Sequence, residues 1–217
     1  MKIRQATIND IHSVTLVHRE CLPKDEHFTT LMGGGKKDLT SQMYIEYLLE
    51  DNLFLVAEDN HHIIGSCMGN MYGSVAMHKF YTKYRGELIC RTVMLLLQGH
   101  PLAWKKVRDV FKENIRNLSR KLMCFQSKSN QEIILRPDIN PPTASLLSIC
   151  VLDTYRGKCI SKLLFEAYEQ MLKQRGVKAF TLSTWPDNER AIAFYKKEGM
   201  HERIHTDSRV QFIKDIL

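Results

Sequence analysis

The 217-residue sequence holds six cysteines (Cys21, Cys67, Cys90, Cys124, Cys150 and Cys159), but it has no C-x-x-C pair and no histidine at finger spacing. Structural zinc is a poor reading of such a pattern, so no metal site is expected and the thiols are expected to be reduced, small core residues. Long apolar runs are also missing. The longest, Val93–Leu97, falls far short of the roughly 20 residues a spanning helix needs. The basic start Met1-Lys2-Ile3-Arg4 has no apolar stretch behind it before Asn9, Asp10 and His12, so a secretory leader is not expected and the expected location is cytoplasmic. Gly33-Gly34-Gly35-Lys36-Lys37 lacks the G-x-x-x-x-G-K-[ST] spacing and follows no strand, which argues for a surface loop over a phosphate loop.

What is present is ordinary in bulk and uneven in place. Hydrophobic residues make up 44% and charged residues 25%, values of a folded globular chain with room for one core. The net charge is +7, which suggests an anionic partner. Residues 77–128 hold 12 Lys and Arg against three Asp and Glu, a net of +9, so the remainder is −2. The excess is therefore local.

Patterning predicts the elements. A strand around Ile3 leads to a helix capped by Asn9 or Asp10, with Ile11, Val14, Leu16, Val17 and Cys21 as its apolar positions. A helix is predicted over 39–50, then an antiparallel hairpin of strands 53–58 and 63–69 with its tip at Asp59-Asn60-His61-His62. Residues 77–128 show no strand signal and read as two helical stretches broken at Gly99-His100-Pro101. The second carries an apolar stripe of Val107, Val110, Phe111, Ile115, Leu118 and Leu122. After Pro137, Pro141 and Pro142, a strand over 144–152, a helix over 158–175, a strand over 179–184 and a helix over 189–198 follow, with Gly176 and Gly199 ending the helices. Strands over 200–204 and 210–216 complete the chain.

The stretch from Ser148 to Leu164 delivers a strand through a tight turn directly into a helix. Unpaired amides and the positive end of the helix dipole then converge on one spot, a ready anion site. Gly157, Cys159 and Ser161 keep the approach open, and Arg156 and Lys158 add positive charge, so a pyrophosphate is the natural ligand. Further on, Asn188 can cap a helix, and Tyr195 lies two turns along on roughly the same face.

Together these two pieces resemble the GNAT superfamily of acetyl-CoA-dependent N-acetyltransferases. The family turn, approximately [QR]-x-x-G-x-[GA], is matched by Arg156-Gly157-Lys158-Cys159-Ile160-Ser161, with Cys159 where glycine is usual and Ser161 where Gly or Ala is usual. The family's later N-x-x-A-x-x-x-Y-x-x-x-G-F is matched by Asn188, Ala191, Tyr195 and Gly199, with Met200 in place of the final aromatic.

The resemblance implies an α/β (α+β) fold: a mixed, mostly antiparallel sheet flanked by helices, formed by a single domain over 1–217, with 77–128 as a basic helical insertion before the cofactor-binding strand. It also implies that the backbone of Ile149, Cys150 and Val151 holds the pantetheine arm of acetyl-CoA. In the same way the amides from Arg156 through Gly157, Lys158, Cys159 and Ile160 to Ser161 hold the pyrophosphate, Asn188 touches the pantetheine, and Tyr195 protonates the departing thiolate. The implied reaction is transfer of acetyl to a primary amine by direct attack. Three readings of the partner stand at this point: an amino sugar or sugar-nucleotide amine, a protein or peptide amine, and a decayed, basic adaptor that binds membrane or nucleic acid. The basic insertion is expected to meet an anionic membrane surface rather than nucleic acid, and its apolar stripe to pack on the core or on a second copy in a homodimer. A general base is left open among Glu58, Asp153, His27 and His62.

Overall fold

The computed structural model describes residues 1–22, 51–71, 76–99, 104, 107–108 and 144–216. The loop expected after Pro23 with its glycine run, the helix over 39–50, most of the second amphipathic stretch and the proline hinge lie outside the described residues. So does His27. The chain divides into two compact units, one of residues 1–77 with 132–217 and one of residues 78–131.

The first unit is built on a seven-stranded sheet of order β1-β2-β3-β4-β5-β7-β6. Its strands are β1 (Lys2–Gln5), β2 (Phe54–Asp59), β3 (His62–Met71), β4 (Ala144–Val151), β5 (Ala179–Thr184), β6 (His201–His205) and β7 (Val210–Asp215). Every neighbouring pair is antiparallel except β4 and β5, which run parallel. The predicted hairpin closes through a two-residue loop, since Asp59 pairs with His62. Asn60 and His61 both take positive φ (47° and 65°), the geometry that follows the right-handed twist of the flanking strands.

Helix α1 (Ile11–Cys21) covers one face of the sheet, where Ile11, Val14 and Val17 join Phe54, Val56, Ile63, Met68 and Cys150 in one apolar cluster. The opposite face packs a larger cluster in which Leu53, Leu55, Ala57 and Cys67 meet two helices later in the chain. These are α4 (Ile160–Gln174) and α5 (Glu189–Lys197). Alternate residues of β2 thus serve opposite faces, as the pleat requires. Phe165 and Tyr168 of α4 are fully buried against Phe180, with ring centroids 5.8 and 5.6 Å away, each worth roughly 1.5–3 kcal/mol by burial. Gly176 and Gly199 end their helices at φ 70° and 80°, conformations that an L side chain would strain.

Two local expectations are corrected. Asp10 sits at the N-cap position of α1, but its carboxylate turns back: it accepts from the Thr7 amide (2.7 Å) and hydroxyl (2.8 Å) and from two Arg4 nitrogens (2.7 and 2.8 Å). The Arg4 guanidinium, outweighing burial, holds its carboxyl down at a pKa of about 2. Leu16, expected on the apolar face, is 51% exposed, and His18 lies inside instead at 0%. At 3.6 residues per turn the inward stripe of α1 runs Ile11, Val14, His18 and Cys21, which turns Leu16 to solvent.

In the second unit the first helical stretch is two helices, α2 (Ala76–Lys83, which begins in the first unit) and α3 (Arg85–Leu97). They part at Tyr84, where the backbone leaves helical values (φ −103°, ψ 14°). Ile89, Val93 and Leu97 follow one another at single-turn spacing along α3 and are exposed. Among the described residues no helix is long and apolar enough to cross a membrane.

Candidate functional site

The centre of the sheet opens between β4 and β5. Only Ala144, Ser145 and Leu146 pair with Phe180, Thr181 and Leu182. Beyond that point β4 stays with β3 through Val151, while β5 stays with β7 through Thr184, so the two parallel strands diverge. The Leu152 amide donates to the Ile64 carbonyl (3.0 Å), turned toward β3. Because successive residues of a strand alternate, the amides and carbonyls of Val151 and Ile149 turn the other way, into the divergence.

A bulge sets which side chains line each face there. The β3–β4 register shifts so that Met68 faces Ser148 while Gly69 faces Leu146, leaving Leu147 as an extra residue in β4. One extra residue exchanges the faces. Ala144 and Leu146 before it, and Ile149 and Val151 after it, therefore pack with the α4 cluster. Ser148 and Cys150 meet α1, where Cys150 joins the α1 cluster and Ser148 Oγ lies 3.5 Å from His18 Nδ1.

At the end of β4 a 3-10 turn, Asp153–Tyr155, leads to the glycine turn. Gly157 takes φ 80°, and a Cβ there would meet no atom within 4 Å, so the backbone faces open space. The first backbone bond of α4 runs from the Leu163 amide to the Cys159 carbonyl (3.0 Å), which leaves the amides of Ile160, Ser161 and Lys162 without an intrahelical acceptor. Ile160 anchors the helix start in the core. Arg156 forms an ion pair with Asp153, and Lys158 Nζ lies 4.6 Å from the centroid of the Tyr155 ring. Both cations stay exposed beside the free amides.

Cys159 is the N-cap of α4, at φ 59° and ψ 11°. Its left-handed backbone accounts for glycine being usual there: a Cβ in this region costs about 1–2 kcal/mol. Cys159→Gly is accordingly expected to stabilise the protein by about 0.5–1 kcal/mol after the greater freedom of the unfolded glycine is counted, raising Tm by about 1–4 °C in a thermal melt. An unchanged or lower Tm would show that the turn relaxes around the thiol.

Asn188 caps α5, its side-chain oxygen accepting from the Ala191 amide (3.1 Å). The NH2 of that amide is left to meet a ligand. Tyr195 is buried, packed among Phe165, Phe194 and Phe212 with centroids 6.4, 5.4 and 5.8 Å away. It shares one apolar cluster with Val151, with Ile149 packed against it. Burial pushes the phenol pKa up, so the hydroxyl keeps its proton at neutral pH, and it makes no hydrogen bond among the described residues.

Three of the base candidates are placed away from this arrangement or are already paired. Glu58 accepts from Arg4 (2.6 Å) on β2, two strands away from β4; Asp153 pairs with Arg156; His62 opens β3 at the exposed hairpin tip. The structure instead reveals a polar cluster that the sequence reading missed. His18 Nε2 lies 2.9 Å from Ser66 Oγ, its Nδ1 faces Ser148, and Ser148 Oγ lies 3.3 Å from Cys150 Sγ. Its only signal in the sequence was a histidine seven residues after Ile11, on the same helical face.

Residues 125–200 match the family model of the Acetyltransferase (GNAT) family. No curated protein sequence matches the chain. Among solved structures, an acetyltransferase is similar in fold at 17% identity and TM-score 0.58, covering all of both chains. The PaiA N-acetyltransferase of Thermoplasma acidophilum, in complex with coenzyme A, is similar at 15% identity and TM-score 0.51, over 99% of this chain and 98% of that one. Naa20 of Chaetomium thermophilum, with a bisubstrate analogue, is similar at 16% and TM-score 0.51, over 99% and 85%. The family match lies on this sheet's diverging parallel pair and glycine turn, so residues 125–200 are similar to the acetyl-CoA-dependent acetyltransferases of the GNAT family.

Proposed function

We propose that the chain transfers acetyl to a primary amine of low basicity. The carrying observation is the opening between β4 and β5, where the backbone of Ile149 and Val151 turns away from β3, and the strand then runs through the glycine turn into α4, whose first amides have no intrahelical acceptor. In this reading Ile149, Cys150 and Val151 hold the pantetheine arm, the turn from Arg156 to Ser161 holds the pyrophosphate, and the free NH2 of Asn188 meets the pantetheine. Acetyl-CoA supplies the activated thioester. The Val151 amide faces the carbonyl oxygen as charge develops on it, and the Tyr195 hydroxyl, kept protonated by burial, gives its proton to the leaving sulfur.

The acceptor class follows from the cost of a neutral amine. An amine of pKa ~10.4 requires about 4–5 kcal/mol to lose its proton at pH 7, one near 8 only about 1–2 kcal/mol. With Glu58 and Asp153 held in ion pairs, amines near pKa 8 are favoured over lysine side chains. An amino sugar or sugar-nucleotide amine is the first such acceptor. The α-amino group of a protein or peptide, with a pKa near 8, is the second. The net +9 of residues 77–128 is read as a docking surface for an anionic membrane.

Acetyl-CoA at saturating concentration should raise Tm, and amine-dependent release of CoA thiol should follow in a screen of acceptors. Tyr195→Phe is expected to lower kcat about 10- to 100-fold while leaving the acetyl-CoA Tm shift in place. An unchanged kcat would remove Tyr195 from the chemistry, and no Tm shift with acetyl-CoA or CoA would remove the site.

A further inference from the structure

We infer that the sheet face beside the opening binds the acceptor as an amino sugar carrying a phosphate, with Ser183 and Gln211 on the sugar and Arg203 on the phosphate. The inference rests on the acetyl-transfer reading above, and within it selects the amino sugar over the peptide amine.

Phe180 and Leu182 of β5, and Val210 and Phe212 of β7, pack in the cluster beneath α4 and α5. The residues between them take the other face, where Ser183 stands directly opposite Gln211. On that face Ala179 and Thr181 are buried, whereas Ser183 is exposed. It is the first residue of β5 past Leu182, where pairing with β4 ends, so it stands at the mouth of the opening. On the far side of β7 the register shifts between Glu202 and Ile204, which makes Arg203 an extra residue that shares with Ile204 the place across from Gln211. One row across three strands thus holds a hydroxyl, an amide and a guanidinium.

Two polar atoms of that row are unsatisfied. Arg203 Nε, a donor, and Gln211 Oε1, an acceptor, are buried without a hydrogen-bond partner among the described residues, a cost to the fold that a ligand would offset. Both residues are half-buried, so part of each side chain stays at the surface. Glu202, the neighbouring carboxylate, pairs with Lys196 of α5 (2.7 Å) on the opposite face and does not neutralise Arg203. A guanidinium fork matches phosphate, and an amide oxygen accepts from a sugar hydroxyl. Neighbouring strands lie about 4.8 Å apart, so Gln211 and Arg203 stand about 5 and 10 Å beyond Ser183, the reach of one sugar ring and its phosphate. Trp185, two residues after Ser183 and 42% exposed, offers an apolar ring to the C–H face of the sugar.

The test is calorimetric titration of the full chain with CoA at saturation, which keeps the glycine turn occupied. The probes are glucosamine, glucosamine 1-phosphate, UDP-glucosamine and inorganic phosphate. Both phosphorylated sugars are expected to bind about 10-fold or more tighter than glucosamine, and the tighter of the two identifies the carrier. Arg203→Ala should remove that margin and leave glucosamine binding unchanged, while Gln211→Ala should weaken all three sugars by about 5- to 10-fold. A margin that survives Arg203→Ala, inorganic phosphate binding as tightly as glucosamine 1-phosphate, or no binding of either phosphorylated sugar would overturn the inference. The Tm shift with CoA is read in parent and variants alike. Its retention in Arg203→Ala shows a folded chain with an intact cofactor site, and its absence in the parent would remove the acetyl-transfer reading itself.

Discussion

Gly69→Ala is expected to destabilise the protein by about 2–6 kcal/mol and to lower Tm by about 4–24 °C. A methyl group at this position would stand 2.1 Å from the Tyr168 hydroxyl, 2.7 Å from its ring edge and 2.7 Å from the Ser145 carbonyl. Tyr168 cannot step aside freely, since it is fully buried, stacked edge-on to Phe180, and its hydroxyl donates to that same Ser145 carbonyl (3.1 Å). Overpacking accounts for about 1–3 kcal/mol, and a buried hydroxyl left without its acceptor for about another 1–3 kcal/mol. The site also matters for function, because Gly69 faces β4 at the register shift that exchanges the faces of Ser148 to Val151. Urea unfolding of Gly69→Ala, Tyr168→Phe and the double variant would measure the coupling. The double variant should recover part of the loss, because the closest clash is with the hydroxyl. A loss below about 1 kcal/mol in Gly69→Ala would mean that α4 yields at no cost.

Stability is expected to fall by about 3 kcal/mol between pH 6.5 and pH 4, with His18 as the cause. Burial holds this imidazole neutral by lowering its pKa to about 3, from an ordinary 6.5. The unfolded chain therefore binds a proton at His18 through the window from 6.5 down to 3, while the folded chain does not. The stabilising contribution is complete above pH 6.5 and is lost progressively as the pH falls toward 3, at up to about 1.4 kcal/mol per pH unit. Asp10 acts in a lower window. Its carboxyl, held at about 2 by Arg4, contributes above its ordinary 3.8 and loses that contribution as the pH drops from 3.8 to 2. His18→Gln removes the titrating ring and keeps an amide to meet Ser66, so its stability should be nearly flat between pH 4 and 6.5. Equal slopes in parent and variant, or an NMR titration of His18 near 6.5, would refute the assignment.

The two helix starts and stops around the site were legible because they are matters of local chemistry. Gly176 and Gly199 end helices at positive φ, and Asn188 caps α5 as its residue type suggests. The strand, turn and helix from Ser148 to Leu164 were legible for the same reason: a short apolar run, a glycine and an amphipathic stretch occur in unbroken order. The identity of His18 as a core residue was not. Leu16 and His18 differ by 200° around α1, and hydropathy favours Leu16 inward, whereas the partners waiting on the sheet, Ser66 and Ser148, favour the histidine. The break of the helical stretch at Tyr84 was not legible either, with neither proline nor glycine at that residue.

The sequence by itself determined the order of the described elements and the resemblance to the acetyltransferase family, because each rests on neighbours within a few residues of one another. Tertiary structure alone decided where the sheet opens and which face each β4 side chain takes after Leu147. Those depend on the pairing of β4 with β3 and β5, strands that lie tens of residues away in the chain. Apolar alternation in Ala-Ser-Leu-Leu-Ser-Ile-Cys-Val is compatible with either face until Gly69 and Met68 set the register.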